Sequence, residues 1–189
     1  AATVLPFAMI EDGNGIVWIG TQSGLVKCTQ HRDSYRFELI AAGESGFNNN
    51  SVACLLPHPA NPKQGLWIGT KGGGINYLNL QNGTIRYITT MEGLPDDVVY
   101  GILPGKKNEL WCSTNRGLVK LAITETAQVE KIISYTTANG LQYNEFNTQA
   151  YLRAENGELL FGGVNGLNRF FPEEILPDTL PPFVYLAGL

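Results

Sequence analysis

Tyr143, Asn144 and Glu145 stand side by side, and a flat aromatic next to an amide and a carboxylate suits a sugar, whose ring face is apolar and whose edge carries hydroxyls. Polar residues of similar character recur at Asn50, Lys71, Asp97, Asn115, Arg116 and Asn165, and these nine are the candidates for a ligand-binding surface. Acid–base chemistry has less to draw on. The histidines are His31 and His58, and a hydrolase or lyase would need a base and an acid converging on one pocket. Asp97 and Glu145 form the one carboxylate pair that adjacent repeats could bring together, yet both residue types also serve ordinary turns. No catalytic residue is assigned, and the chain reads as a non-enzyme.

No metal or cofactor is expected. Cys28, Cys54 and Cys112 lie far apart, without Cys-x-x-Cys spacing, so neither a disulfide framework nor a zinc site is indicated. Cys112 falls where two other repeats carry Ile19 and Ile68, which makes it a small buried hydrophobe. Glu11-Asp12-Gly13-Asn14-Gly15 lacks the spaced oxygens and final glutamate of a calcium loop and reads as a hairpin turn. Lys71-Gly72-Gly73-Gly74 has neither Walker spacing nor a following helix. A formal charge of -4 with 13 Lys+Arg in no run argues against nucleic acid and anionic membrane as partners. Apolar stretches are strand-length and interrupted, and no signal peptide is visible. Because residues 1–4 already read as strand, the chain is expected to be a piece of something longer.

The elements that carry these residues come from an internal repeat. IVWIGTQSGLVKC around Trp18, GLWIGTKGGGINYL around Trp67, ELWCSTNRGLVKL around Trp111 and ELLFGGVNGLNRF around Leu160 are copies of one unit, recurring every 44 to 49 residues. Gly24, Gly73, Gly117 and Gly166 each follow their anchor by six residues and mark the turn after the anchor strand. The spacing is that of a four-stranded propeller blade, so the fold class is all-β, a β-propeller fragment of about four blades of antiparallel sheet. Each blade places strand A before the anchor, the anchor strand B, then C and D. A lone blade cannot bury both faces, so the tryptophans are structural, filling the seams between blades. Burying one indole contributes roughly 5 kcal/mol of gross transfer free energy.

Antiparallel order sends the B–C and D–A connections to one end of the blades. All nine candidate residues fall in those connections. The last D–A loop is expected to run eight residues from its glycine to strand A, Gly140 to Thr148, against six for Gly46 to Val52 and Gly93 to Val99, and the extra length brings in Tyr143, Asn144 and Glu145. Both histidines fall at the opposite end.

The Trp-Ile-Gly-Thr core, the Gly-Leu pair after it and the Gly-Leu-Pro loop resemble the two-component regulator propeller repeat. Asn139-Gly140-Leu141, Glu145-Phe146-Asn147, Phe161 to Leu167 and Phe171-Pro172 resemble the last blade of such sensors, and Pro181 to Leu186 resembles the first strand of the β-sandwich that follows it. The resemblance implies a periplasmic sensor segment of an inner-membrane hybrid two-component system of the Bacteroidetes type, taking glycan-derived oligosaccharides. The histidine kinase would belong to the parent protein, since no kinase residue is present here. A protein-interaction scaffold, or a lyase acting on carbohydrate or antibiotic, are the alternatives. The expected divisions are blades at 1–46, 47–93 and 94–140, an incomplete blade at 141–176 and an exit segment at 177–189. With no strand D in the last blade, open blade faces are expected and the chain should self-associate to cover them. Direct membrane contact is not expected.

Overall fold

In the computed structural model, which describes residues 5–43 and 46–175, strand-length apolar or alternating runs set between tight turns produce short antiparallel strands throughout. The first blade is β1 (Pro6–Glu11), β2 (Val17–Thr21), β3 (Gly24–His31) and β4 (Ser34–Ile40). The second is β5 (Val52–Pro57), β6 (Gly65–Thr70), β7 (Ile75–Asn79) and β8 (Ile85–Ile88). The third is β9 (Val99–Pro104), β10 (Glu109–Thr114), β11 (Gly117–Ile123) and β12 (Val129–Tyr135). Among the described residues the fourth holds β13 (Phe146–Arg153), β14 (Leu159–Gly163) and β15 (Gly166–Phe170), with no fourth strand. Each sheet keeps its strands in chain order, so the β-propeller fragment read from the repeats is the observed fold. The readings on residues 1–4 and 177–189 lie outside the described residues.

Strands β1, β5, β9 and β13 pack successively against one another and form the inner edge of the blades. Register is shared: Ile10, Leu56, Leu103 and Leu152 pair with Trp18, Trp67, Trp111 and Leu160. Three apolar clusters fill the three seams, and each takes the Trp-bearing face of one blade and the opposite face of the next. Close approach at the seam depends on the glycine two residues after the anchor. A Cβ on Gly20 would sit 2.7 Å from Val52 Cγ1, and one on Gly69 2.8 Å from Val99 Cγ1, so each glycine is a socket for the next blade's first inner residue.

The structure adds two short 3-10 turns, Thr90–Glu92 and Thr137–Asn139, in the second and third D–A connections. Both open on a capping box, with Thr89 and Glu92, or Thr136 and Asn139, satisfying each other's backbone N–H groups. One register differs from the repeat reading. The positive-φ glycine at the head of strand C is Gly24, Gly117 and Gly166, but in the second blade it is Gly74, not Gly73. That B–C turn carries one extra residue, which a fixed offset from tryptophan cannot register.

Candidate ligand-binding rim

The threonine three residues after the anchor tryptophan shapes the B–C turn of the first three blades. Thr21, Thr70 and Thr114 donate their hydroxyls to the carbonyls of Gly24, Gly74 and Gly117 at 2.8, 3.0 and 2.9 Å, and accept a turn N–H in return. The fourth blade has Gly163 at that position, and Gln142 takes over: its Oε1 accepts from Asn165 N at 2.8 Å and its carbonyl accepts from Asn165 Nδ2. Asn165 is therefore a turn residue held at both ends.

Three more candidates are engaged in holding loops. Asn50 accepts the Ala42 N–H, Asp97 Oδ1 accepts from Thr90 N at 2.7 Å, and Asn144 Oδ1 accepts from Thr137 N at 3.0 Å. The same staple thus recurs in all three D–A loops, and the last is not the longer one expected: ten residues separate β12 from β13, as ten separate β8 from β9, because the inner strand of the fourth blade already begins at Phe146. The Asp97 carboxylate also accepts the Thr90 hydroxyl, and its carbonyl receives the N–H groups of Gly72 and Gly74, locking one blade's loop to the previous blade's turn. Asn144 does likewise for Gly117 N.

What remains at the rim is a group that strand β9 brings together. Tyr100, second residue of that strand, donates its hydroxyl to Asn115 Oδ1 at 3.2 Å. Arg116, next in the same turn, lies 3.6 Å from the Asp96 carboxylate. Burial first, and then the Glu145 and Asp96 carboxylates, raise the Tyr100 phenol above its ordinary value and keep it a hydrogen-bond donor. Asn115, Arg116 and Glu145 are thus assembled around Tyr100 and Asp96, two residues the sequence reading left out. Tyr100 looked like one more apolar strand residue; its place at the mouth-end of an inner strand was the available signal. Tyr143 is half exposed. Lys71 belongs to a different part of the rim, with Nζ 4.8 Å from the Phe7 ring centroid, and the Gln149 amide donates to the Phe7 carbonyl there.

At the opposite end a cleft of about 330 Å3 opens between the first two blades, lined by Asp12, Trp18, Lys27, Glu38, Leu80 and Ile85 among others. None of the nine candidates lines it. The hairpin reading of residues 11–15 holds: Asp12 is buried, accepts the Trp18 indole N–H at 2.8 Å and the backbone N–H groups of Asn14 and Ile16, and so has a structural use for its charge. His58 is buried too, with Nδ1 accepting from Asn61 N at 3.3 Å.

No family model matches the chain. Histidine kinase P4 of Formosa agariphila is 29% identical over 94% of this chain, which spans 16% of that relative's length. Among solved structures, the extracellular domain of BT3049 from B. thetaiotaomicron, described as part of a hybrid two-component system, superposes with a TM-score of 0.61 at 20% identity. The match covers 90% of this chain and 28% of that domain. The chain is similar to the extracellular sensors of two-component systems. That similarity agrees with the resemblance carried by its repeats. Virginiamycin B lyase of Staphylococcus aureus also superposes, with a TM-score of 0.56 at 16% identity over 90% of this chain and 56% of the lyase. Likeness at these identities is of fold alone, and the β-propeller is a fold that hosts many activities.

Proposed function

We propose that this chain is a non-catalytic segment of the sensor domain of a two-component system, placed in the periplasm as part of an inner-membrane protein. It takes an oligosaccharide at the rim around Tyr100 and passes the occupied state on through its seams. The observation that carries the reading is the sequence similarity to a histidine kinase over nearly the whole chain, joined to the fold shared with an extracellular sensor domain. The rim chemistry fits a polyhydroxylated ligand: a phenol, a guanidinium, an amide and two carboxylates gathered around Tyr100. Kinase activity belongs to the longer protein. Signalling would follow from a difference in affinity between two packings of the sensor.

Thermal stabilisation by a panel of plant, algal and host-glycan oligosaccharides tests the proposal, because a ligand that binds only the folded state raises its melting temperature. Tyr100→Phe and Arg116→Ala should each remove the stabilisation without unfolding the chain. Stabilisation that survives both but is lost on filling the cleft beside Trp18 would move the site to the other end. No response to any sugar, with capture of a purified surface protein, would favour the scaffold alternative. Turnover abolished by Asp97→Asn or Glu145→Gln would overturn the non-catalytic reading.

A further inference from the structure

Two internal seams that share one register are finished differently. On the second blade the strand-C partner of Trp67 is Tyr77, whose ring packs on the indole with centroids 4.7 Å apart. Its own partner on β8 is Arg86, which reaches over the Tyr77 ring and donates to the carbonyls of Thr126 and Ala127 in the third blade. Eight residues separate Ile123 from Ile132 there, so the C–D hairpin is long enough to lay Ala127 into the seam, where it is 3% exposed. Ring, guanidinium and hairpin together cover the outer part of the second seam.

In the first seam the same positions hold other residues. Lys27 pairs with Trp18 and Glu38 with Lys27, while only four residues separate Leu80 from Ile85, the counterparts of Ile123 and Ile132. Among the described residues neither a ring nor a long hairpin covers this place, and the cleft of about 330 Å3 beside Trp18 lies here. Ile40 and Leu80, which correspond to the buried Ile88 and Ile123, stay half-buried on its walls with Ile16 and Ile85. Those walls are the two facing sides of one internal seam, each supplied by a four-stranded blade.

The charges on the cleft suit a zwitterion. Lys27 holds its ammonium 5.8 Å from the Trp18 ring centroid, and Glu38 stands beside it on the neighbouring strand. Neither enters an ion pair among the described residues. In the third seam the equivalent Lys120 is matched by Glu109 on its own sheet, 3.7 Å away, at the position where the first blade has Ile16. Asp12 is no substitute, since its carboxylate already accepts three N–H groups. A monoanion would answer Lys27 and be repelled by Glu38, and a monocation the reverse. An ammonium and a carboxylate on one carbon answer both, because side chains paired across antiparallel strands stand about 5 Å apart. The volume is near the lower end for small-molecule pockets, which start at about 300 Å3, and the largely aliphatic walls leave room for one apolar side chain.

We infer that the first seam binds a free α-amino acid with a large apolar side chain, its carboxylate on Lys27, its ammonium on Glu38 and its side chain between Ile16, Ile40, Leu80 and Ile85. The site is separate from the Tyr100 rim and does not depend on what that rim takes. Its ligand does for the first seam what Tyr77 and Arg86 do for the second, filling the outer hollow and tying two blades together.

Isothermal titration calorimetry of the 189-residue chain with L-leucine and L-phenylalanine at millimolar concentration should show saturable binding. Acetylating the amine or amidating the carboxylate should each weaken it about tenfold or more, as loss of a hydrogen bond to a charged group does. Lys27→Gln and Glu38→Gln change a half-buried and an exposed side chain, so each should leave the circular dichroism unchanged and weaken binding to a similar degree. Lys27→Tyr combined with Glu38→Arg copies the second seam and should abolish binding. Arg116→Ala, on the rim, should leave amino-acid binding intact, so the two sites can fail separately. Absence of binding by both amino acids overturns the inference. Binding that survives Lys27→Gln and Glu38→Gln, or that the N-acetyl amides retain in full, overturns it too, because the hollow would then take apolar groups without recognising the two charges.

Discussion

Asp12 is a residue whose type was plain and whose use was not. Asp in a Gly-rich hairpin needs no further explanation, yet here three N–H donors, including the Trp18 indole, converge on one buried carboxylate. Trp67 and Trp111 carry their indole N–H groups buried without a partner, because the positions corresponding to Asp12 hold His58 and Gly105. Asp12→Ala would leave the Trp18 N–H in the same condition. It should cost about 1–3 kcal/mol in urea unfolding, with Asp12→Asn recovering part of that. His58 gives the chain a pH dependence. Burial lowers its pKa below the ordinary value, so the unfolded chain binds the proton more readily than the folded one. Stability is then full above about 6.5, the unfolded-state value, and falls as pH drops below it. Melting temperatures measured from pH 8 to pH 5 should decline in the acid half, and His58→Gln should flatten that decline. The cysteine reading is met at this scale as well. Cys54 and Cys112 are buried in the same seam, burial pushes the Cys54 thiol up to about 12, and Cys112 is raised likewise. Iodoacetamide should label Cys28 alone in the native chain and all three thiols in denaturant.

Strand positions were legible because tryptophan or glycine punctuates each blade. Turns were less so. Threonine in Trp-Ile-Gly-Thr reads as a β-former, and only the folded turn shows its hydroxyl closing on the glycine carbonyl four residues on in the second blade and three on in the first and third. The capping boxes at Thr89 and Thr136 were present as a spacing but lie in loops, where a short 3-10 turn leaves no periodicity to detect. The strand-C glycine separates two effects that a sequence cannot distinguish. Gly117 and Gly166 both hold positive φ, but a methyl on Gly117 would run into the Tyr135 carbonyl of β12, whereas Gly166 faces open space because no outer strand lies beside β15 among the described residues. Gly166→Ala should therefore cost only the backbone strain, about 1–2 kcal/mol, and Gly117→Ala distinctly more. Equal shifts in the denaturation midpoint for the two variants would mean that the outer strand does not constrain the turn.

At the scale of the whole molecule the fold was readable because repetition averages out local ambiguity, whereas the rim residues had no such help. Asn50, Asp97 and Asn144 matched the chemistry of a ligand site and the chemistry of a loop staple equally well. Only the hydrogen bonds to Ala42, Thr90 and Thr137 decide between them. Quasi-one-dimensional construction has a further consequence, since each blade is stabilised by its own sheet and by its neighbours on either side. Among the described residues the second and third blades have two seams each, and the first and fourth have one. Strand β6 is buried along its whole length, while β4 is exposed at every residue but Ile40. Amide hydrogen exchange on the dilute chain should then be slowest in β6 and β10, intermediate in β2 and β14, and fastest in β4 and β15. Uniform protection at low concentration would instead mean that the four blades close on themselves and open as one cooperative unit.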